Sequence, residues 1–173
     1  MIRALLVLVL LAPPAMAQDY VFEWQGAGGY SMQGAVSFPP SENKGILTEA
    51  QVRCFEIEGF LNGQSVGRWA LGMLTEDTTW AMEFDPSIPA FLTPHAGNSM
   101  PQAWNMTGLG DGCGEGGFGF NLGSAAQDIC IDDRLIVESQ IDPPIPFPAT
   151  EVSGHLFSPD ACFGAQVVSR GSR

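Results

Sequence analysis

Val52-Arg53-Cys54-Phe55-Glu56-Ile57-Glu58-Gly59-Phe60-Leu61-Asn62-Gly63-Gln64-Ser65-Val66-Gly67-Arg68-Trp69-Ala70 decides the fold class. Asn62-Gly63 is the pair that a two-residue hairpin turn favours, because both central residues of that turn need positive φ. The flanking residues predict strands over 52–60 and 64–73. Trp69, Leu71 and Met73 then fall on one side of the second strand, while Glu56 and Glu58, two residues apart, share one face of the first.

The same alternation extends in both directions. Tyr20, Phe22 and Trp24 share a face against Val21, Glu23 and Gln25, residues 25–29 form a glycine-rich turn, and 30–38 resumes extended until Pro39-Pro40. Thr48-Glu49-Ala50-Gln51 fits a capping box and predicts a single helical turn. Trp80, Met82 and Phe84 alternate with Thr79, Ala81 and Glu83 in a further strand. After Asp85-Pro86 the pattern dissolves among Pro86, Pro89, Pro94 and Pro101, and residues 108–119 read as an irregular glycine-rich loop. Strands return at 118–122 and 129–138. Pro143, Pro144, Pro146 and Pro148 form a stiff extended connector, and a last strand covers 152–157. Short strands with Gly/Pro turns and no helical period predict an all-β chain: one antiparallel β-sandwich or distorted barrel with long irregular Gly/Pro-rich loops.

The N-terminus addresses the chain to export. Arg3 precedes an apolar run over 4–12, and Ala15-Met16-Ala17 has the small residues of a cleavage site, so residues 1–17 read as a signal peptide and Gln18 as the mature N-terminus. The run is shorter than the about 20 residues that span a bilayer. Residues 18–165 then form one β-rich domain and 166–173 a disordered tail. The 173-residue chain carries a formal charge of −12, and cleavage removes Arg3 but no acid. Such acidity repels phosphate backbones and anionic membranes, so neither nucleic acid nor, in the mature form, a membrane is an expected partner. The expected location is the periplasm or the medium.

Cys54, Cys113, Cys130 and Cys162 contain no C-x-x-C pair, and an even count in an exported chain reads as two disulfides. Three connectivities are open. Cys113–Cys130 with Cys54–Cys162 is favoured, because the first pair flanks the glycine-rich segment and the second ties the C-terminal segment to the body.

No motif calls for a cofactor. Gly112-Cys113-Gly114-Glu115-Gly116-Gly117 contains G-x-G-x-x-G, which binds dinucleotides only between a strand and a helix, and no helix is predicted after it. Asp111, Glu115, Asp128, Asp132 and Asp133 surround Cys113 and Cys130; convergence by that disulfide would offer calcium its oxygens, but the spacing matches no known calcium loop, and solvated acidic turns are the expectation. Glu56 and Glu58, with Glu83 on a further strand, would suit glycosidase chemistry only if held in a cleft. His95 and His155 stand alone, without a G-x-S-x-G elbow. Trp24, Trp69 and Trp80 fit core positions. Trp104 sits beside Asn98, Gln102 and Asn105 in an irregular stretch, so Trp104 and Asn105 are the candidate ligand contacts.

The segment Phe22-x-Trp24-x-Gly26-x-Gly28-Gly29-Tyr30-Ser31-Met32-x-Gly34-x-x-x-Phe38, followed by Gly45-Ile46-Leu47-Thr48-Glu49, resembles the N-terminal part of exported β-rich proteins, some of them sorted by a C-terminal PEP-type signal. The likeness covers residues 20–60. The chain departs from that pattern at its end, with no Pro-Glu-Pro motif, terminal apolar span or basic anchor. As a whole it resembles small secreted β-rich proteins of alphaproteobacteria, a group that implies no particular activity. The expected function is therefore a non-enzymatic exported β domain with a ligand-binding, protein-binding or structural role, its partner a small ligand, a glycan or a protein. The alternative is a glycoside- or ester-directed hydrolase. A cleft with two convergent carboxylates, or a His in reach of a Ser, would favour the latter.

Overall fold

The computed structural model describes residues 17–40, 45–94, 101–108 and 110–162. Its strands are β1 (Gln18–Gln25), β2 (Tyr30–Phe38), β3 (Leu47–Thr48), β4 (Cys54–Leu61), β5 (Gln64–Ala70), β6 (Thr79–Ala81), β7 (Glu83–Asp85), β8 (Ala90–Phe91), β9 (Gln102–Met106), β10 (Phe118–Leu122), β11 (Gln127–Ile131), β12 (Arg134–Leu135) and β13 (Phe147–Val152). They form two antiparallel sheets, a curled one in the order β3-β7-β8-β13-β1-β2-β4-β5 and a smaller one in the order β12-β11-β10-β9-β6. The chain is an all-β sandwich.

The hairpin that opened the sequence reading is the β4–β5 pair, with Asn62 at φ 51° and Gly63 at φ 82° across its turn. Thr48 leads into a single 3-10 turn, Glu49–Gln51, and the Gln51 side chain accepts the Thr48 backbone N–H at 2.9 Å. Inward residues of both sheets meet in one aromatic core. Tyr20, Phe22 and Trp24 from β1 pack with Phe55, Ile57 and Trp69 of the same sheet, and with Trp104, Phe120 and Ile129 of the other. The Phe118 ring lies against β4 and β5, where a Cβ on Gly59 or Gly67 would approach it to 2.3 or 2.8 Å. Glycine at those two positions lets the sheets close on each other. Gln127 is fully buried and ties the layers by a polar route: its Oε1 accepts Trp24 Nε1 at 3.0 Å, and its Nε2 donates to the carbonyls of Pro143 and Ile145.

Several boundaries differ from the sequence reading, each for a local reason. The strand expected over 64–73 ends at Ala70 in a 3-10 turn, so Leu71 stays buried while Met73 turns out to 41% exposure. The alternation of Trp80, Met82 and Phe84 spans two strands of different sheets, because the chain crosses the core at Met82 between β6 and β7. The strand expected over 129–138 is a hairpin, turning at Asp132 and Asp133, both at positive φ. Pro148 sits inside β13, so that strand begins five residues before the expected 152 and ends there. The stretch after Asp85-Pro86 contains β8 and β9, and every residue of β9 is buried. A strand covered on both faces has no alternation to read.

The signal-peptide expectation over 1–17 lies, apart from Ala17, outside the described residues, as do His95, Asn98 and the expected tail 166–173. Among the described residues no helix is long and apolar enough to cross a membrane.

Candidate functional site

The outward face of the curled sheet can be read row by row from its strand registers. Glu23, Gln33, Glu58 and Arg68 stand side by side on β1, β2, β4 and β5, with Pro148 of β13 beyond Glu23. The next row runs Thr150, Val21, Ala35 and Glu56. The third is Val152, Asp19, Ser37 and Cys54. Strand alternation turns all of them away from the core.

Residues 153–162 leave β13 and cross this face as a strap. The His155 backbone N–H donates to Asp19 at 3.2 Å, and Asp19 also accepts the Ser37 hydroxyl at 2.7 Å. Farther along, the Ser158 N–H donates to Glu56 Oε2 at 3.1 Å and the Ser158 hydroxyl to the same oxygen. The other Glu56 oxygen lies 3.3 Å from His155 Nε2. Arg68 grips Asp160 through both terminal nitrogens, at 2.8 and 3.0 Å, and donates to Ser158 Oγ at 3.2 Å. That guanidinium holds the Asp160 carboxyl down at about 2, below the usual carboxylate range. The strap ends beside β4, where Phe55 N–H donates to the Ala161 carbonyl at 2.7 Å and Cys162 is bonded to Cys54.

Between strap, β13 and the first two rows lies a cleft of about 670 Å³. Val21, Gly34 and Ala35 form its floor, and Glu23, Glu56, Glu58, Arg68, His155 and Ser158 are among its walls. Sequence reasoning placed Glu56 and Glu58 on one face, and both line this cleft; Glu83 stands apart on β7, paired with Thr48. It missed His155, Ser158, Arg68 and Glu23. The one available signal was the favoured Cys54–Cys162 bond, which puts the residues before Cys162 against β4.

The arrangement differs from a nucleophilic triad in its order. There an imidazole stands between the hydroxyl and the carboxylate, so that it can take the hydroxyl proton. Here the carboxylate of Glu56 stands between, and His155 and Ser158 both address it. As a set these groups fasten the strap.

The loop around Cys113 is a different construction. Cys113 is bonded to Cys130, so both bonds follow the favoured connectivity. Asp133 Oδ1 accepts the N–H groups of Cys113 and Gly114 at 3.1 and 2.9 Å, and Asp132 Oδ1 accepts that of Gly116 at 2.8 Å. Asp128 is buried on β11, where its Oδ2 accepts Gln140 Nε2 at 2.9 Å. Asp111, Glu115, Asp128 and Asp132 are thus not gathered around a cation, and among the described residues no three His, Cys, Asp or Glu are placed to hold a metal. The G-x-G-x-x-G run leads into β10, a strand, without the helix that dinucleotide binding needs.

The expected ligand contacts are overturned. Trp104 has no exposed surface; its ring meets Phe22, Phe55, Phe91, Phe120 and Phe147 in the core. Asn105, at φ 59°, is buried and donates from Nδ2 to the Phe118 carbonyl at 2.8 Å. Prolines on one side and glycines on the other made β9 look irregular, while the glycine-rich loop and its disulfide cover it. Trp24 and Trp69 are also buried and Trp80 packs against the core, so no tryptophan offers a stacking platform at the cleft.

No protein-family model, curated protein or solved structure matches this chain.

Proposed function

We propose that this chain is an exported, non-enzymatic binding domain whose ligand site is the cleft between the curled sheet and the C-terminal strap. The cleft itself carries this reading. It is concave and has an apolar floor of Val21 and Ala35, with a few polar groups converging from separate strands, as small-ligand sites commonly do. Export is supported by two independent features, the leader-like residues 1–17 and the two disulfides, which persist in oxidising compartments. The resemblance to small secreted β-rich proteins agrees with that address.

The hydrolase alternative draws on Glu56 and Glu58 sharing the cleft and on the Ser158 hydroxyl meeting a carboxylate. Against it stands the engagement of that hydroxyl, which donates to Glu56 while accepting from Arg68. The test is expression of the full chain with its own leader, followed by intact-mass analysis and an NMR fragment screen on the isotope-labelled product. The expected result is a chain starting at Gln18 with no free thiol, and fragment-induced shifts at Val21, Ala35 and Thr150. Fragments that perturb only residues remote from the cleft would refute the site. Turnover of ester or glycoside substrates that is lost in Glu56→Gln would favour the hydrolase.

A further inference from the structure

We infer that the cleft takes a compact organic cation, an alkyl ammonium or guanidinium group on an apolar body; this rests on the cleft being the ligand site. Four carboxylates stand in or beside it, Glu23, Glu56, Glu58 and Asp160, against Arg68, the sole Lys or Arg lining it among the described residues. Arg68 is committed to Asp160 through both terminal nitrogens. Glu56 is engaged by the strap through both its oxygens.

The remaining two carboxylates are less committed. Glu58 accepts one hydrogen bond, from the Ser65 hydroxyl at 2.6 Å, and Glu23 has no side-chain partner among the described residues. Arg68, opposite Glu58 on the next strand, acts on Glu58 and Glu56 as well as on Asp160, so one guanidinium is shared by three carboxylates and does not neutralise them; the lining keeps a net negative charge, and a concave site between low-dielectric walls concentrates its field. Glu23 and Glu58 stand two strands apart, with Gln33 between them, which sets their backbones about 10 Å apart. The group between them is the neutral amide of Gln33, and beside that row the floor is Val21, Gly34 and Ala35, without a charged side chain.

That pattern selects by chemistry. An anion would face Glu23 and Glu58 while Arg68, the one Lys or Arg of the lining among the described residues, is bonded to Asp160. A sugar would find no aromatic ring to stack on, since Trp24, Trp69 and Trp104 are buried. An alkyl chain ending in a cationic nitrogen lays its methylenes on Val21 and Ala35 and its charge against a carboxylate. A chain with a cationic nitrogen at each end can reach both.

Three probes of equal chain length separate the possibilities: 1,5-diaminopentane, 1,5-pentanediol and glutarate, titrated into the isotope-labelled mature protein. The diamine should shift the amides of Val21, Ala35 and Thr150, with an affinity that falls at least threefold between 20 and 200 mM salt. Glu58→Gln and Glu23→Gln should each weaken it several-fold, while leaving the rest of the spectrum and the melting temperature in place. Binding of the diol or glutarate at these amides, as tightly as the diamine, would overturn the cationic specificity and leave the cleft as the site. Diamine shifts that persist in the Glu23→Gln/Glu58→Gln double variant would overturn it too, as would no binding by any probe. If the fragment screen finds ligands elsewhere only, the site reading fails first.

Discussion

Both sheets carry an outer covering fastened by a disulfide, and the two coverings use their carboxylates in opposite ways. Over the small sheet, Asp132 and Asp133 turn inward to the loop and accept the N–H groups of Cys113, Gly114 and Gly116. The disulfide beneath is buried, with Cys113 and Cys130 packed against Ala103 and Met106. Asp132 and Asp133 are thus spent on the loop's own backbone. Over the curled sheet, Glu56 and Asp160 fasten the strap, but Glu23 and Glu58 remain turned toward open space. Satisfied hydrogen-bonding groups make architecture, and unspent ones beside a cavity make a binding site.

Removing each disulfide is the strongest way to test that contrast. Cys54–Cys162 closes a separation of 108 residues and Cys113–Cys130 one of 17. Loop-closure entropy then assigns about 4.7 kcal/mol to the first and about 3 kcal/mol to the second. The Cys54→Ala/Cys162→Ala variant should therefore show the lower urea midpoint, and its spectrum should change at Val21, Glu56 and Thr150. Cys113→Ala/Cys130→Ala should leave those resonances where they are. A strap variant with unaltered cleft resonances would mean that the cleft stands without its wall.

Single carboxylates give the next largest difference. Asp133→Ala removes the shared acceptor of the Cys113 and Gly114 N–H groups, at a cost of about 0.5 to 1.5 kcal/mol. Glu58→Gln keeps an acceptor for Ser65 and changes stability by less than about 0.5 kcal/mol. Chemical denaturation measures both. Equal losses would erase the distinction between a structural and a spare carboxylate.

The sequence reading placed its ligand contacts in neither covering but at Trp104 and Asn105, which are buried. The glycines, cysteines and acids crowded into 108–133, read as acidic turns, are what a tight, disulfide-crossed turn uses to bond its own backbone. The cleft is assembled from residues that are ordinary in their own strands. Glu56 and Glu58 were legible as one face of a strand because β4 alternates and the Asn62-Gly63 turn fixes its partner. Nothing local signals that His155 and Ser158 lie over them, about 100 residues later in the chain, since only the disulfide and the chain path bring them there. The core showed the same division. Trp24 and Trp69 were readable from alternation, whereas Trp104, in a strand buried on both faces, was not. The crossing at Met82 was hidden because inward residues alternate alike on both sheets.

The smallest effects concern pH, where one carboxyl from each region should act with opposite sign. Asp128, beneath the covering of the small sheet, has its pKa raised above the ordinary 3.8, first by burial, against the lowering pull of its hydrogen bonds from Gln140 and Asn121. Among the described residues its Oδ1 has no hydrogen-bond partner. The folded chain therefore binds this proton more tightly than the unfolded one, so the contribution is fully favourable below 3.8 and is lost as pH rises through the folded value. Asp128→Asn removes the charge and should raise stability at pH 7 by about 1 kcal/mol, with the gain gone at pH 3. Asp160 on the strap is held at about 2 by Arg68, so its contribution is present above 3.8 and is lost as pH falls through about 2. The pair is partly exposed, at 45% for Arg68 and 34% for Asp160, so screening limits it to about 0 to 1 kcal/mol. Asp160→Asn should therefore lower the melting temperature slightly at pH 7 and hardly at all near pH 2. Melting curves of the two variants against the parent chain, taken from pH 2 to pH 7, should thus separate in opposite directions as pH rises. Curves that separate in the same direction would show that Asp128 is stabilised as a carboxylate, and that the small-sheet covering holds a charge as the strap does.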